Sequence, residues 1–320
     1  RRVIQMPDNQ IESRVAIITG AGRGIGKAIA RSLSAQGVCV IVADNGGNIG
    51  GYDENHKTAE EVANDLPGPA QAFTKNIASQ EAAEELAAIT ISQYGSIDIV
   101  INCAAILRDG LVFKGKTDDW DKVITNNLSS AFYIIRAITP ILRQQFKDKE
   151  GSSSPYNSGR IINIGSTAGL YGNFGQANYS SAKAGLFGLT RVTALEMARS
   201  NVTCNYVAPF ARSRVTELIK PANKEQGEYK ERALKVSPEH VANFVTYLCT
   251  PLASDITGQI FGVRGKEIFL FNQPRPIETI VNTDNTWTID ELAIAVDKNF
   301  KKKFTKLETD LEAFNTEPII

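Results

Sequence analysis

Short runs of consecutive valine, isoleucine and alanine alternate with amphipathic stretches through the first 270 residues. Runs at 15–19, 38–43, 70–74, 97–102, 160–164, 203–207 and 260–262 have the length of strands, and several are apolar at successive positions. A strand that is apolar on both faces needs cover on both, the condition of a parallel sheet with helices above and below. Apolar positions recur at helical spacing over 24–36, 59–66, 81–94, 123–146, 177–199 and 239–249, the last opened by Ser237 as a cap and Pro238 in the first turn. The alternation predicts crossover units, hence an α/β fold with a doubly wound parallel sheet.

Two segments interrupt this rhythm. Residues 45–55, rich in Gly and Asn, predict a long loop after the second strand, and residues 147–158 an exposed polar insertion. Beyond Leu270 the pattern becomes an irregular piece at 272–276 and a helix over 290–304, capped by Thr288 or Asp290. The expected organisation is an N-terminal arm at 1–11, a single domain at 12–272 and a C-terminal extension at 273–320.

Composition narrows the function. With 35 basic and 35 acidic residues, no global field draws the chain to nucleic acid or to an anionic membrane, and Lys301-Lys302-Lys303 reads as a solvated helix face. No apolar stretch reaches the roughly 20 residues needed to span a bilayer, and the polar start lacks a signal-peptide core, so a cytoplasmic location is expected. Cys39, Cys103, Cys204 and Cys249 stand singly in apolar segments, as buried free thiols do, and with only His56 and His240 besides, no metal site is expected.

The candidate chemistry begins at Thr19-Gly20-Ala21-Gly22-Arg23-Gly24-Ile25-Gly26, between the first strand and the first helix. There Gly20 suits a tight turn, Gly24 lets a cofactor approach the backbone, and Gly26 permits close packing of helix on strand. Asp44, at the end of the second strand, is placed to accept hydrogen bonds from ribose hydroxyls and to repel a 2′-phosphate, whereas Arg23 would attract one. The carboxylate is weighted more heavily, giving NAD over NADP. Far downstream, Tyr179 and Lys183 stand four residues apart on one helix face, and Ser166 ends the strand before that helix. Two hydroxyls can then share one substrate oxygen. Tyrosine normally titrates near pH 10; bringing it down by about three units takes about 4 kcal/mol, which Lys183 and an oxidised nicotinamide are expected to supply against desolvation.

These motifs resemble the short-chain dehydrogenase/reductase family over residues 12–272. The resemblance implies a Rossmann-type fold, a nicotinamide coenzyme and the catalytic set Asn127, Ser166, Tyr179 and Lys183, with Asn127 holding a proton-relay water. It implies coenzyme contacts at Gly20, Arg23, Gly24, Ile25, Gly26, Asp44, Asn76, Ile77, Asn102, Val207 and Pro209, besides Tyr179 and Lys183. Cys103-Ala104-Ala105, Asn76-Ile77 and Phe210 depart from the usual pattern. Residues 169–179 and 209–217 look most like two groups within the family, the hydroxyacyl-CoA dehydrogenase units of peroxisomal multifunctional enzymes and stand-alone bacterial dehydrogenases. The ending Glu317-Pro318-Ile319-Ile320 is not a peroxisomal address, which favours the stand-alone group.

The reaction expected is interconversion of a secondary alcohol and a ketone, first on a 3-hydroxyacyl thioester and alternatively on cyclic ketones, steroids or other carbonyls. A non-catalytic dinucleotide-binding scaffold is the competing reading. The substrate is expected between loops 107–116, 170–176 and 210–220, walled by Leu107, Leu111, Leu170, Tyr171, Phe174 and Phe210, with Phe269, Phe271 and Trp287 of the tail partly covering it. Apolar excess on helices 123–146 and 177–199, including Ala182, Leu186, Phe187, Leu189 and Leu195, predicts a homodimer or homotetramer. NAD should exceed NADP in kcat/KM by roughly a hundredfold, about 3 kcal/mol of like-charge repulsion at Asp44. Asp44→Ala should erode that ratio, and equal use of the two coenzymes by the unaltered chain refutes the assignment.

Overall fold

The computed structural model describes residues 11–148, 159–218, 221, 224–283 and 286–320. Residues 1–10 of the expected arm, most of the expected polar insertion and part of the third substrate loop lie outside the described residues. The strands are β1 (Val15–Thr19), β2 (Cys39–Ala43), β3 (Ala70–Phe73), β4 (Ile99–Asn102), β5 (Arg160–Ile164), β6 (Thr203–Phe210), β7 (Ile260–Arg264) and β8 (Glu267–Leu270). The helices are α1 (Gly24–Ser34), α2 (Lys57–Asp65), α3 (Gln80–Tyr94), α4 (Thr117–Ile124), α5 (Ser130–Asp148), α6 (Ala168–Tyr171), α7 (Ala177–Met197), α8 (Arg214–Leu218), α9 (Lys224–Ala233), α10 (Glu239–Leu248), α11 (Ile289–Asn299) and α12 (Asp310–Ala313).

The eight strands form one sheet in the order β3-β2-β1-β4-β5-β6-β7-β8, parallel except for the final pair. Ile17 sits opposite both Ile41 and Val100, so the most apolar run of the chain occupies the centre. Alternate side chains leave the sheet on opposite faces. Ala16 and Ile18 join Ile29 and Leu33 of α1 and Val241 and Val245 of α10, whereas Ile17 joins Leu86 of α3, Ile134 and Ile138 of α5 and Met197 of α7. This two-sided burial is the physical form of the doubly wound class expected from the runs. Strand order reverses between β1 and β4, and in such sheets the crevice at the reversal is the natural ligand site.

Several elements differ from the expectation. The helix expected over 123–146 begins at Thr117 and passes through a π-turn at Thr125–Ser129. Its first turn was hidden because only Val123 of α4 is buried, leaving no apolar stripe to read. Helix α9, Lys-Glu-Gln-Gly-Glu-Tyr-Lys-Glu-Arg-Ala, was hidden by its polarity in the same way. At α10 the proline occupies the cap position itself rather than the first turn. Leu186, expected at an interface, lies in the core at 1% exposure, while Phe132, Val192 and Leu195 are the exposed apolar side chains of these helices.

The expected extension is divided. Asn272–Glu308 form a unit of their own, with α11 opened by a capping box between Thr288 and Glu291, and Trp287 belongs to this unit. Thr309–Ile320 instead belong to the main unit. Phe314 explains why: its ring meets those of Phe210, Tyr171, Phe269 and Phe271 at centroid separations of 4.7, 5.4, 5.6 and 6.1 Å. Arg264, buried and paired with Glu267, donates to the carbonyls of Phe314 and Thr316 at 3.1 and 3.3 Å. Lys266 N–H donates to Ile319 O at 2.8 Å, where a side chain on Gly265 would stand 2.2 Å from the same oxygen. Phe269 and Phe271, expected over the substrate, are thus engaged with Phe314. Phe314→Ala should cost ~2 kcal/mol of stability and expose residues 309–320 to limited proteolysis. An unchanged melting temperature and cleavage pattern would show that the ring cluster does not hold the segment.

Candidate active site

A cavity of about 610 Å³ opens at the carboxyl ends of the central strands. Gly20, Arg23, Gly24, Ile25, Gly26, Asp44, Asn76, Ile77, Ser166, Tyr179, Lys183 and Pro209 all line it. Gly24 has φ of +53° and nothing within 4 Å of where a side chain would begin, so the backbone at the start of α1 is open to the cavity. At Gly26 a Cβ would fall 2.2 Å from Gly20 O, the close helix-to-strand contact expected of that position. Asp44 accepts from Gly22 N–H at 2.8 Å and Gly46 N–H at 2.7 Å, which leaves each carboxylate oxygen further lone-pair capacity. The Arg23 guanidinium donates to Gly46 O, Gly47 O and Thr58 Oγ1 at 3.2, 3.1 and 3.1 Å, and Arg214 donates to Gly47 O at 3.0 Å. Both arginines therefore fasten the Gly-rich loop after β2. An open glycine turn, a carboxylate one strand away and a phenol, ammonium and hydroxyl at the far end fit a nicotinamide dinucleotide.

At that far end, β5 aims Ser166 at α7. The Tyr206 phenol donates to Ser166 O and accepts from Ser166 N–H, each at 2.8 Å. A Cβ on Gly165 would fall 1.8 Å from the Tyr206 ring, so the clamp requires glycine there. Ser166 Oγ accepts from Ala168 N–H at 3.1 Å and hydrogen-bonds the Tyr179 phenol. Lys183 Nζ donates to Ile164 O at 2.8 Å and lies 5.7 Å from the Tyr179 ring centroid.

Burial dominates the titration of this pair. It pushes the Tyr179 phenol up, with Asp310, Cys103 and Asp109 adding to the rise and the Ser166 hydrogen bond opposing it. It pushes Lys183 down to about 8. The expected lowering of the phenol by Lys183 is therefore not a property of the protein alone: the ammonium is turned to a carbonyl and itself drawn toward neutrality.

Three expected site residues are placed elsewhere. Asn127, in the π-turn, donates to Ile106 O and accepts from Ile106 N–H, both at 2.8 Å, so its side-chain amide is engaged by backbone. Asn102 is buried and donates to Asn163 Oδ1 at 2.8 Å, a sheet-internal bond. Val207 is core, and its carbonyl accepts from Gly165 N–H at 2.8 Å. None of the three lines the cavity, and neither does any of Leu107, Leu111, Leu170, Tyr171, Phe174 and Phe210. The cavity instead includes Arg214, Thr216, Tyr229, Asp310 and Leu311. Arg214 and Thr216 lie in a segment singled out from the sequence, but Tyr229, Asp310 and Leu311 carry no local signal: α9 is mostly polar, and Asp310 and Leu311 arrive from the far end of the chain. Among the described residues no cluster of His, Cys, Asp or Glu suits a metal, and no helix is long and apolar enough to cross a membrane.

A family model for the short chain dehydrogenases matches residues 14–227. The chain belongs to this family. It is 35% identical over 276 residues, 86% of the chain, to the peroxisomal multifunctional enzyme type 2 of Mus musculus, and spans 35% of that protein's length. It is 38% identical over 260 residues to a 3-oxoacyl-[acyl-carrier-protein] reductase of Synechocystis, covering 80% of the chain and 97% of the relative. The crystal structure of a short chain dehydrogenase from Mycobacterium avium matches with a TM-score of 0.75 at 32% identity, covering 90% of this chain and 94% of the other.

Burial pushes the Asp310 carboxyl up to about 6, with the Thr167 hydrogen bond and the nearby N–H dipoles of Leu311 and Asp310 opposing the rise. The folded chain then holds this proton more tightly than the unfolded chain, so the stabilising contribution is full below the ordinary carboxylate range and fades as pH rises through 6. Relative to Asp310→Asn, the unaltered chain should lose melting temperature between pH 4 and 7, on the order of the carboxyl's titration range. Parallel melting curves would contradict its burial.

Proposed function

We propose that the chain is an NAD-dependent dehydrogenase that interconverts a secondary alcohol and a ketone, with a 3-hydroxyacyl thioester as its first substrate class. The observation that carries the reading is the convergence of Ser166, Tyr179 and Lys183 in the cavity that Gly24 and Asp44 enter from the other end. Gly20, Arg23, Gly24, Ile25 and Gly26 would hold the pyrophosphate, Asp44 the adenosine ribose, Asn76 and Ile77 the adenine, and Pro209 the nicotinamide side. Bound NAD supplies the hydride acceptor and a positive charge beside the phenol.

Ser166 Oγ donates to the substrate oxygen and orients the carbinol. Tyr179, as phenolate, takes the alcohol proton as the carbonyl forms, and returns it in the opposite direction. Its raised starting point makes a nearby positive charge a requirement for that step, and Lys183 contributes one on the same helix. Asn127 acts through Ile106, which lines the cavity. The preference for NAD is supported by Asp44 and by the engagement of Arg23 on loop carbonyls, away from a 2′-phosphate.

The thioester is supported by the 3-oxoacyl chemistry in the name of the Synechocystis relative, and by apolar residues outside the cavity. Leu111, Val112, Phe113 and Phe174 are exposed on two loops joined where Gly110 N–H donates to Gly175 O at 2.7 Å. Phe132, Val192 and Leu195, exposed on α5 and α7, support a homodimer or homotetramer.

Tyr179→Phe should lower kcat/KM on a 3-hydroxyacyl thioester by at least about a hundredfold and leave NADH affinity, read by fluorescence, nearly unchanged. Lengthening the acyl chain should raise kcat/KM close to fourfold per methylene until the apolar surface is filled, from about 0.8 kcal/mol each. Retained activity in the phenylalanine variant would overturn the mechanism, and a flat length series would overturn the acyl assignment.

A further inference from the structure

Asp310 reaches the cavity from 143 positions beyond Thr167, whose hydroxyl donates to its Oδ2 at 2.8 Å. Only 5% of the residue is exposed. Its other oxygen, Oδ1, is buried and meets no donor at hydrogen-bond geometry among the described residues, although the N–H groups of Asp310 and Leu311 favour the charged form. A buried carboxylate oxygen without a donor is unfavourable, and the deficit is relieved when a donor arrives.

The fastening of residues 309–320 does not call for this oxygen. Phe314 and Arg264 hold the segment, Thr309 and Glu312 close the start of α12 between themselves, and Oδ2 alone serves Thr167. The carboxylate nevertheless lines the same cavity as the reacting groups: it is bonded to Thr167, which follows Ser166 directly, and its charge acts on Tyr179. Tyr229, also lining the cavity, feels the same charge.

We propose that Asp310 is a substrate-recognition residue, whose Oδ1 accepts a hydrogen bond from a second donor, a hydroxyl or an ammonium, carried by the substrate next to the carbinol carbon. The inference rests on the dehydrogenase reading and narrows its substrates to secondary alcohols, on an acyl chain or a ring, that bear such a donor. A substrate lacking it leaves the carboxylate oxygen unpaired, and a site built for a hydrogen bond discriminates most strongly against the analogue without the donor.

The test compares cyclohexanol, trans-1,2-cyclohexanediol and trans-2-aminocyclohexanol as substrates with NAD, beside the 3-hydroxyacyl thioester as reference. The unaltered chain should favour the diol or the amino alcohol over cyclohexanol by at least about tenfold in kcat/KM. Preference for the amino alcohol over the diol identifies charge pairing, and the reverse a hydroxyl contact. Asp310→Asn, which keeps an acceptor for Thr167, should cut the preference for the amino alcohol by at least about tenfold, and Asp310→Ala should abolish it for both. NADH affinity retained in each variant reports that the site is folded. If neither variant retains it, Asp310→Ser, which keeps a polar group on a shorter side chain, provides the comparison. Thioester turnover without any gain from the second donor, or a preference that survives substitution at Asp310, overturns this inference alone. No turnover of any alcohol overturns the dehydrogenase reading and the inference with it.

Discussion

A parallel sheet covered on both faces leaves no room for polar chemistry along its strands, and that constraint organises the molecule. The central strands are filled with valine, isoleucine and alanine that serve two cores at once. Polar side chains with free hydrogen-bonding capacity can therefore gather only where strands end. Asn163 illustrates the rule from the other side: placed within the sheet, its Oδ1 accepts from Asn102 and its Nδ2 donates to Thr190 Oγ1, each at 2.8 Å. Ser166, two residues beyond β5, keeps its hydroxyl for the cavity because its backbone is already satisfied by Tyr206.

The candidate site is consequently a place where ionisable groups are held at a cost. Tyr179 and Lys183 are both buried, and burial moves each toward its neutral form. Asp310 is moved the same way. Such opposed shifts within one cavity mark a functional site more often than a structural one. They also make the proton inventory of the pocket sensitive to any charge that enters it, because mutual interactions there are poorly screened.

The cavity is bounded by segments that a local reading treats as peripheral. The Gly-rich loop after β2 is tied by Arg23 and Arg214, and Arg108 adds a bond to Gly50 O at 2.9 Å while stacking on Tyr52. On the opposite side, Thr309–Ile320 dock through one aromatic ring and one buried arginine. Both arrangements satisfy backbone carbonyls that would otherwise be left in partly buried surroundings.

The sequence by itself determined seven of the eight strands, all but the antiparallel edge strand β8, together with their two-sided burial, the glycine turn and the placement of Ser166, Tyr179 and Lys183 in one cavity. Each of these depends on neighbours within a few positions, where period and side-chain type carry the physics directly. Tertiary structure alone decided that the Asn127 amide faces Ile106, that Leu186 is core, and that Val207 and Asn102 serve the sheet. It also decided that burial raises the Tyr179 phenol, since desolvation is set by everything packed around a group rather than by its partner on one helix. Asp310 is the extreme case. Nothing near it in sequence distinguishes it from any other acid, and it enters the cavity only because Phe314, four positions away, finds rings contributed by β6, α6 and the edge strand.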